Sequence, residues 1–248
     1  MSDDVFPWLE VQDYFPFPSP DSWEEEIVGV GGNLSPGLLI SAYAQGIFPW
    51  FNEGEEILWW SLDPRFILYP KNLRVSKSMK KVLKSGRFTL SADRNFPAVM
   101  DNCSAISRKG EDGTWISQDM KDAYTRLHDL GFAHSVEVYN GDALVGGLYG
   151  VSLGNCFFGE SMFALEANAS KTALIAITLW LEQQGFAFVD CQQHTDHLGA
   201  LGAIDVPRSD FLAELQQALQ TPTSRGNWGK LYKDFPASDS WLSLTAAV

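Results

Sequence analysis

Apolar and polar positions change their period several times along this chain, and each change marks an element. Residues 33–51, NLSPGLLISAYAQGIFPWF, form an almost unbroken apolar run behind Ser35 and Pro36, a helix cap and a first helical position. A helix is expected from this start, closed by Gly46. Short strands follow at EILWWS (56–61) and RFILYP (65–70), divided by a turn at Asp63-Pro64. A basic amphipathic helix, SKSMKKVLKSG (76–86), ends at Gly86 and leads into the strand RFTLSAD (87–93).

Another helix begins at Ser117, SQDMKDAYTRLHDLG. After it, residues 133–163 alternate as antiparallel strands do, with turns at Asn140-Gly141 and Gly154-Asn155. The helix SKTALIAITLWLEQQG, the strand FAFVDCQ, a short helix, the strand AIDVP and the helix SDFLAELQQALQ complete the order. Antiparallel strands followed by alternating strands and helices predict an α+β fold, a mixed β-sheet with helices on its faces. A small N-terminal domain at 1–64 is expected to precede that sheet domain at 65–236, with a loosely held C-terminal tail at 237–248.

An apolar fraction of 45% and a charged fraction of 20% are globular values. The start, MSDDVFPWLE, is acidic where a secretory leader is basic, and the 3 cysteines are scattered, so a cytoplasmic protein with no membrane contact is expected. The net charge of -13 argues against a polyanionic partner until its distribution is seen. Residues 1–63 hold no Lys or Arg, while half of the 18 basic residues fall within 65–94 beside one acid, Asp93. Arg74, Lys77, Lys80, Lys81, Lys84 and Arg87 therefore form a positive patch on a negative body, which is either a solvated helix face or a surface for phosphates.

The densest chemistry lies in FVDCQQHTDH, residues 188–197. Zinc is disfavoured because no second CxxC or HxxxH pair exists, so no metal is expected. A thiol nucleophile needs a base from another element, and the nearby histidines lie in the same stretch. Strand period places Asp190 and Gln192 on one face and Cys191, with Val189, on the other as a packing residue. Asp190 then reads either as a working carboxylate or as a cap for the next helix, and His197 as capping or packing that helix.

GIFPWF (46–51), WWSLDPR (59–65), GTWI (113–116), GGLYG (146–150), FGESMF (158–163), ASKTAL (169–174), DCQ (190–192) and LGA (201–203) stand in order along the chain. Together they resemble the bacterial leucyl/phenylalanyl-tRNA-protein transferase family from about residue 25 to about residue 235. That resemblance implies a GNAT-like sheet domain and an enzyme without a cofactor. The implied reaction takes Leu or Phe, with Met a further candidate, from aminoacyl-tRNA to the N-terminal Arg or Lys of a protein, marking it for N-degron degradation. It also implies that Asp190 and Gln192 are the catalytic pair, that Glu160 is the acid of the GES motif, and that Trp50 and Trp115 hold the terminal adenosine and aminoacyl group. Leu62, Ala164, Leu165 and Ala200 depart from the family pattern and leave any polar role at those positions in doubt.

An ester is already activated and a peptide amine has a pKa of about 8, so positioning outweighs proton abstraction in the expected mechanism. In it Asp190 orients the amine, Gln192 fixes the carboxylate or acyl group and Glu160 meets the cationic N-terminal residue. Phe157, brought round by a bulge at Gly159, is expected to form an apolar slot with Met162, Leu174 and Ile177. A monomer is expected. An acetyl-CoA-dependent acetyltransferase would need a Gly-rich loop where FALEANASKTAL has no glycine. A cell-wall peptide-bridge aminoacyltransferase and a noncatalytic RNA-binding module are the other rivals.

Overall fold

Helix α1 (Pro36–Ala44) forms in the 33–51 run, and Gly46 at φ +75° turns the chain away from it. The computed structural model describes residues 6–106 and 116–232, so the expectations for Trp115 and for the 237–248 tail lie outside the described residues. Strands β1 (Ile27–Val30), β2 (Phe48–Pro49) and β3 (Leu58–Trp60) make a small antiparallel sheet in the order β1-β3-β2.

A seven-stranded sheet follows, built from β4 (Arg65–Leu68), β5 (Thr89–Ala92), β6 (Ala133–Asn140), β7 (Ala143–Leu153), β8 (Cys156–Ala164), β9 (Phe188–Gln192) and β10 (Ile204–Val206). Its order is β10-β4-β9-β8-β7-β6-β5, and its neighbours are antiparallel except β8 and β9. That parallel pair is joined by helix α5 (Ala169–Gln183), the long connection such a pair requires. The sheet is therefore mixed, as the sequence pattern predicts.

The remaining helices are α2 (Lys77–Lys84), α3 (Phe96–Ala105), α4 (Gln118–Asp129), α6 (Asp196–Ala200), α7 (Arg208–Ala218) and α8 (Trp228–Leu231). The strand period sorts buried side chains to two sides. Phe158 and Phe188 join a core with Leu39, Met100, Tyr124 and Phe211, while Phe157 and Val189 join Met79, Ile175 and Trp180. The first core also contains Phe17, Leu38 and Trp59, so the small sheet and α1 share apolar packing with the large sheet.

Two local features explain sequence motifs. In GGLYG, a Cβ on Gly150 would stand 2.2 Å from the Phe158 carbonyl oxygen, and one on Gly146 2.5 Å from the Ala169 Cβ, so β8 and α5 approach only bare backbone. Asp93 accepts from the Ser135 and Trp228 backbone amides at 2.8 and 2.7 Å and pairs with His134 Nδ1 at 2.9 Å. The His134 ring stacks on Trp228 at 3.7 Å, which anchors α8 to the sheet.

Candidate active site

The parallel ladder between β8 and β9 runs from Cys156 opposite Phe188 to Phe158 opposite Asp190, and stops there. Beyond that point each strand carries a bulge. On β8 the register moves from Gly150–Gly159 to Tyr149–Ser161, which leaves Glu160 as the extra residue. On β9 it moves from Ile67–Asp190 to Phe66–Gln192, which leaves Cys191 as the extra residue. A cavity of about 450 Å³ lies where the strands part, within the usual range for small-molecule sites.

Glu160 and Gln192 meet in that cavity. Gln192 Nε2 donates to Glu160 Oε1 at 2.8 Å, Tyr43 Oη donates to the same oxygen at 2.7 Å, and Tyr124 Oη donates to Oε2 at 3.1 Å. The two phenols also touch each other. Burial raises the Glu160 carboxyl to about 7, against the opposing pull of its three hydrogen-bond donors. Burial and the Glu160 charge push both tyrosines well above the usual phenol range, so they stay protonated donors.

Asp190 sits behind this wall and does not line the cavity. Arg65 Nε donates to its Oδ1 at 2.8 Å and Nη2 to its Oδ2 at 2.6 Å, with both side chains fully buried. The expectation that Asp190 and Gln192 share a strand face is corrected here. The bulge at Cys191 and a φ of +61° at Gln192 break the alternation, turning Gln192 into the cavity beside Val189 and Cys191. The link between the pair runs through the backbone instead, because Gln192 N donates to Asp190 Oδ1 at 2.9 Å.

Cys191 is therefore a wall residue of the cavity, and burial pushes its thiol pKa up, away from nucleophile chemistry. Trp50, Phe157, Met162 and Leu174 line the cavity with it. Ile177 does not: it lies farther along α5, fully buried in the core. His197 lines the cavity too, and of the two roles open to it, capping or packing the short helix, the cap belongs to Thr195, whose Oγ1 accepts from Leu198 N at 3.2 Å. Burial and then the charge of Lys171 lower the His197 pKa.

Helix α2 buries Met79 and Leu83 and turns Lys77, Lys81 and Lys84 outward, with Lys80 half-buried between. Arg74 is exposed just before it, and its backbone N–H donates to Leu201 O at 2.8 Å, next to the helix that carries His197 and Leu198 into the cavity wall. Arg87 is tied to Glu166. Arg65, counted by sequence in the basic 65–94 segment, is instead fully buried against Asp190, and Tyr43 and Tyr124 have no role in the sequence pattern. A hydroxyl within an apolar run, as at Tyr43, is the one signal that asked for a buried partner.

Trp50, apolar walls and the Glu160 carboxyl with the Gln192 amide together make up the candidate site. A family model described as leucyl/phenylalanyl-tRNA protein transferase matches residues 67–216, and the model for that family's N-terminal domain matches 32–63. The leucyl/phenylalanyl-tRNA--protein transferase of Syntrophus aciditrophicus (strain SB) is 52% identical over 205 residues, covering 83% of this chain and 86% of its own. That of Anaeromyxobacter sp. (strain Fw109-5) is 51% identical over 222 residues, covering 89% and 94%, and that of Nitrosospira multiformis is 47% identical over 225 residues, covering 90% and 97%. The chain belongs to the leucyl/phenylalanyl-tRNA protein transferase family. Among solved structures, L-PGS from Bacillus licheniformis is 12% identical with a TM-score of 0.38, covering 66% of this chain and 58% of its own.

Proposed function

We propose that this chain is an aminoacyltransferase that moves Leu or Phe from aminoacyl-tRNA to the N-terminal Arg or Lys of acceptor proteins, as a cytoplasmic monomer with a GNAT-like sheet. Family membership supports the reaction class. The observation that carries the reading to residues is the Gln192–Glu160 hydrogen bond at the floor of an apolar cavity under Trp50.

The Leu or Phe side chain enters the slot of Phe157, Met162 and Leu174, and the terminal adenosine stacks on Trp50. The acceptor's ammonium meets Glu160 and Oε1 of Gln192, whose Nε2 is already engaged. Glu160, with a pKa of about 7, takes a proton from an amine whose own pKa is about 8, and the neutral amine attacks the ester carbonyl. The ester bond breaks, a peptide bond forms, and the tRNA leaves with its hydroxyl restored. Asp190 contributes from behind the wall by holding the Gln192 backbone. The Arg74–Lys84 patch neutralises tRNA phosphates, and the product carries a new N-terminal residue that marks it for degradation.

Incubation with Phe-tRNA, with acetyl-CoA in a parallel arm, and a peptide beginning with Arg tests this by mass. A gain of one Phe residue is expected. Acetylation, or an unchanged peptide, overturns it.

A further inference from the structure

Arg65 lies outside the cavity wall, yet its guanidinium joins two of the segments that build it. Besides the paired bonds to Asp190, its Nη1 donates to the Gly46 carbonyl oxygen at 3.2 Å. Ser61 Oγ donates to the same carbonyl at 3.3 Å. The rings of Phe48 and Phe211 flank the guanidinium at 4.8 and 4.6 Å. From Gly46 the chain runs directly into Phe48, Pro49 and Trp50, which line the cavity, and from Asp190 it runs into Gln192, which lines it too.

A fully buried ion pair is weak ground for stability, because desolvating two charges offsets much of their attraction. A geometric task accounts for it better. Gln192 at φ +61° occupies a region unfavourable to a non-glycine residue, and the bond from its N–H to Asp190 Oδ1 holds it there. The carboxylate that accepts this bond is itself held at both oxygens by Arg65.

We propose that Arg65 is a positioning residue for the transfer reaction, one planar group that sets the spacing between the Trp50 lip and the Gln192–Glu160 floor. This rests on the reading of the cavity as the place where the aminoacyl end and the amine meet. A lysine at 65 keeps the charge but lacks the fork that reaches Asp190 and Gly46 together. Gln192 then relaxes away from Glu160, which loses a donor that holds its pKa down.

The test compares wild type with Arg65→Lys in single-turnover transfer from Phe-tRNA to an Arg-peptide, corrected for folded fraction, across pH. The expected result is a chemical step slower by about 100-fold, the scale of a small misplacement, with tRNA Kd and peptide KM within about threefold. The acid limb of the pH profile should move upward as well. A merely structural role leaves both the rate per folded molecule and the limb in place, and that outcome overturns the proposal. If Arg65→Lys does not fold, the double variant Arg65→Met, Asp190→Leu removes both buried charges together. A wild-type rate in the double variant overturns the proposal, and a slow rate with a shifted limb supports it. No product from wild type overturns the functional reading itself, whereas equal product from wild type and variant overturns the role of Arg65 alone.

Discussion

Gln192 donates to Glu160 across the gap where β8 and β9 part, at 2.8 Å, and each of these side chains is aimed by a bulge in its own strand. This pairing between two extra residues' neighbourhoods, rather than the Asp190–Gln192 alternation, forms the floor of the cavity.

Glu160→Gln should remove the acid limb near 7 from the pH dependence of single-turnover transfer and leave only the limb of the amine at about 8. Because the folded-state pKa of Glu160 is raised, its contribution to stability is complete at low pH and is lost as pH rises through about 7. Glu160→Gln should therefore be relatively more stable than wild type at pH 8 than at pH 5. Equal pH dependence of the melting temperature in both proteins would remove the raised carboxyl from the mechanism.

Asp190→Ala leaves the Arg65 guanidinium buried without its partner. Loss of about 3–5 kcal/mol of stability is expected, read by urea unfolding. Transfer per folded molecule should fall much further than tRNA affinity. A variant as stable as wild type would mean that water reaches Arg65.

Burial lowers the His134 pKa, so the ring is neutral where it stacks on Trp228 and pairs with Asp93. A histidine held neutral in the fold loses stability as pH falls through its unfolded value of about 6.5, by up to about 1.4 kcal/mol per pH unit. The melting temperature of His134→Phe relative to wild type should therefore be higher at pH 5.5 than at pH 7.5, and an unchanged difference between the two proteins would mean that His134 is not held neutral.

If the patch on α2 neutralises about five phosphates, log affinity for aminoacyl-tRNA should fall with log salt at a slope between about -3 and -5. Substituting Lys77, Lys81 and Lys84 by Ala should reduce the slope by about 2–3 and leave peptide KM unchanged. A slope that does not respond takes α2 out of the interface.

Helix starts were legible because their caps are local: Ser76 and Ser117 accept the backbone amides of Met79 and Met120 at 3.2 and 3.3 Å. Helix α3 carries the same kind of signal, Asn95 accepting from Ala98 N at 3.3 Å before a proline in the first turn, yet the sequence reading leaves it out. The β8 bulge was legible through Gly159, whereas the β9 bulge was not, since Gln192 in a left-handed conformation has no residue-type signature. Period-two reasoning fails at such a residue, and with it went the face assignment of Gln192. Tyr43 meets Tyr124, and Arg65 meets Asp190, only through tertiary packing that no local pattern encodes.

The apolar cluster shared by Phe17, Leu38 and Trp59 with Tyr124, Phe158 and Phe211 has a further effect. Arg208, at the start of α7, also donates to the carbonyls of Ser61 and Trp23 at 2.8 and 3.2 Å. Severing the chain at Pro64 would strip one side from that cluster and leave Gly46, the far tether of Arg65, on the discarded fragment. The two halves are thus not interchangeable cassettes. Because they share one apolar cluster they should melt as one cooperative unit, and a recombinant that borrowed either half from a distant relative would inherit a mismatched seam.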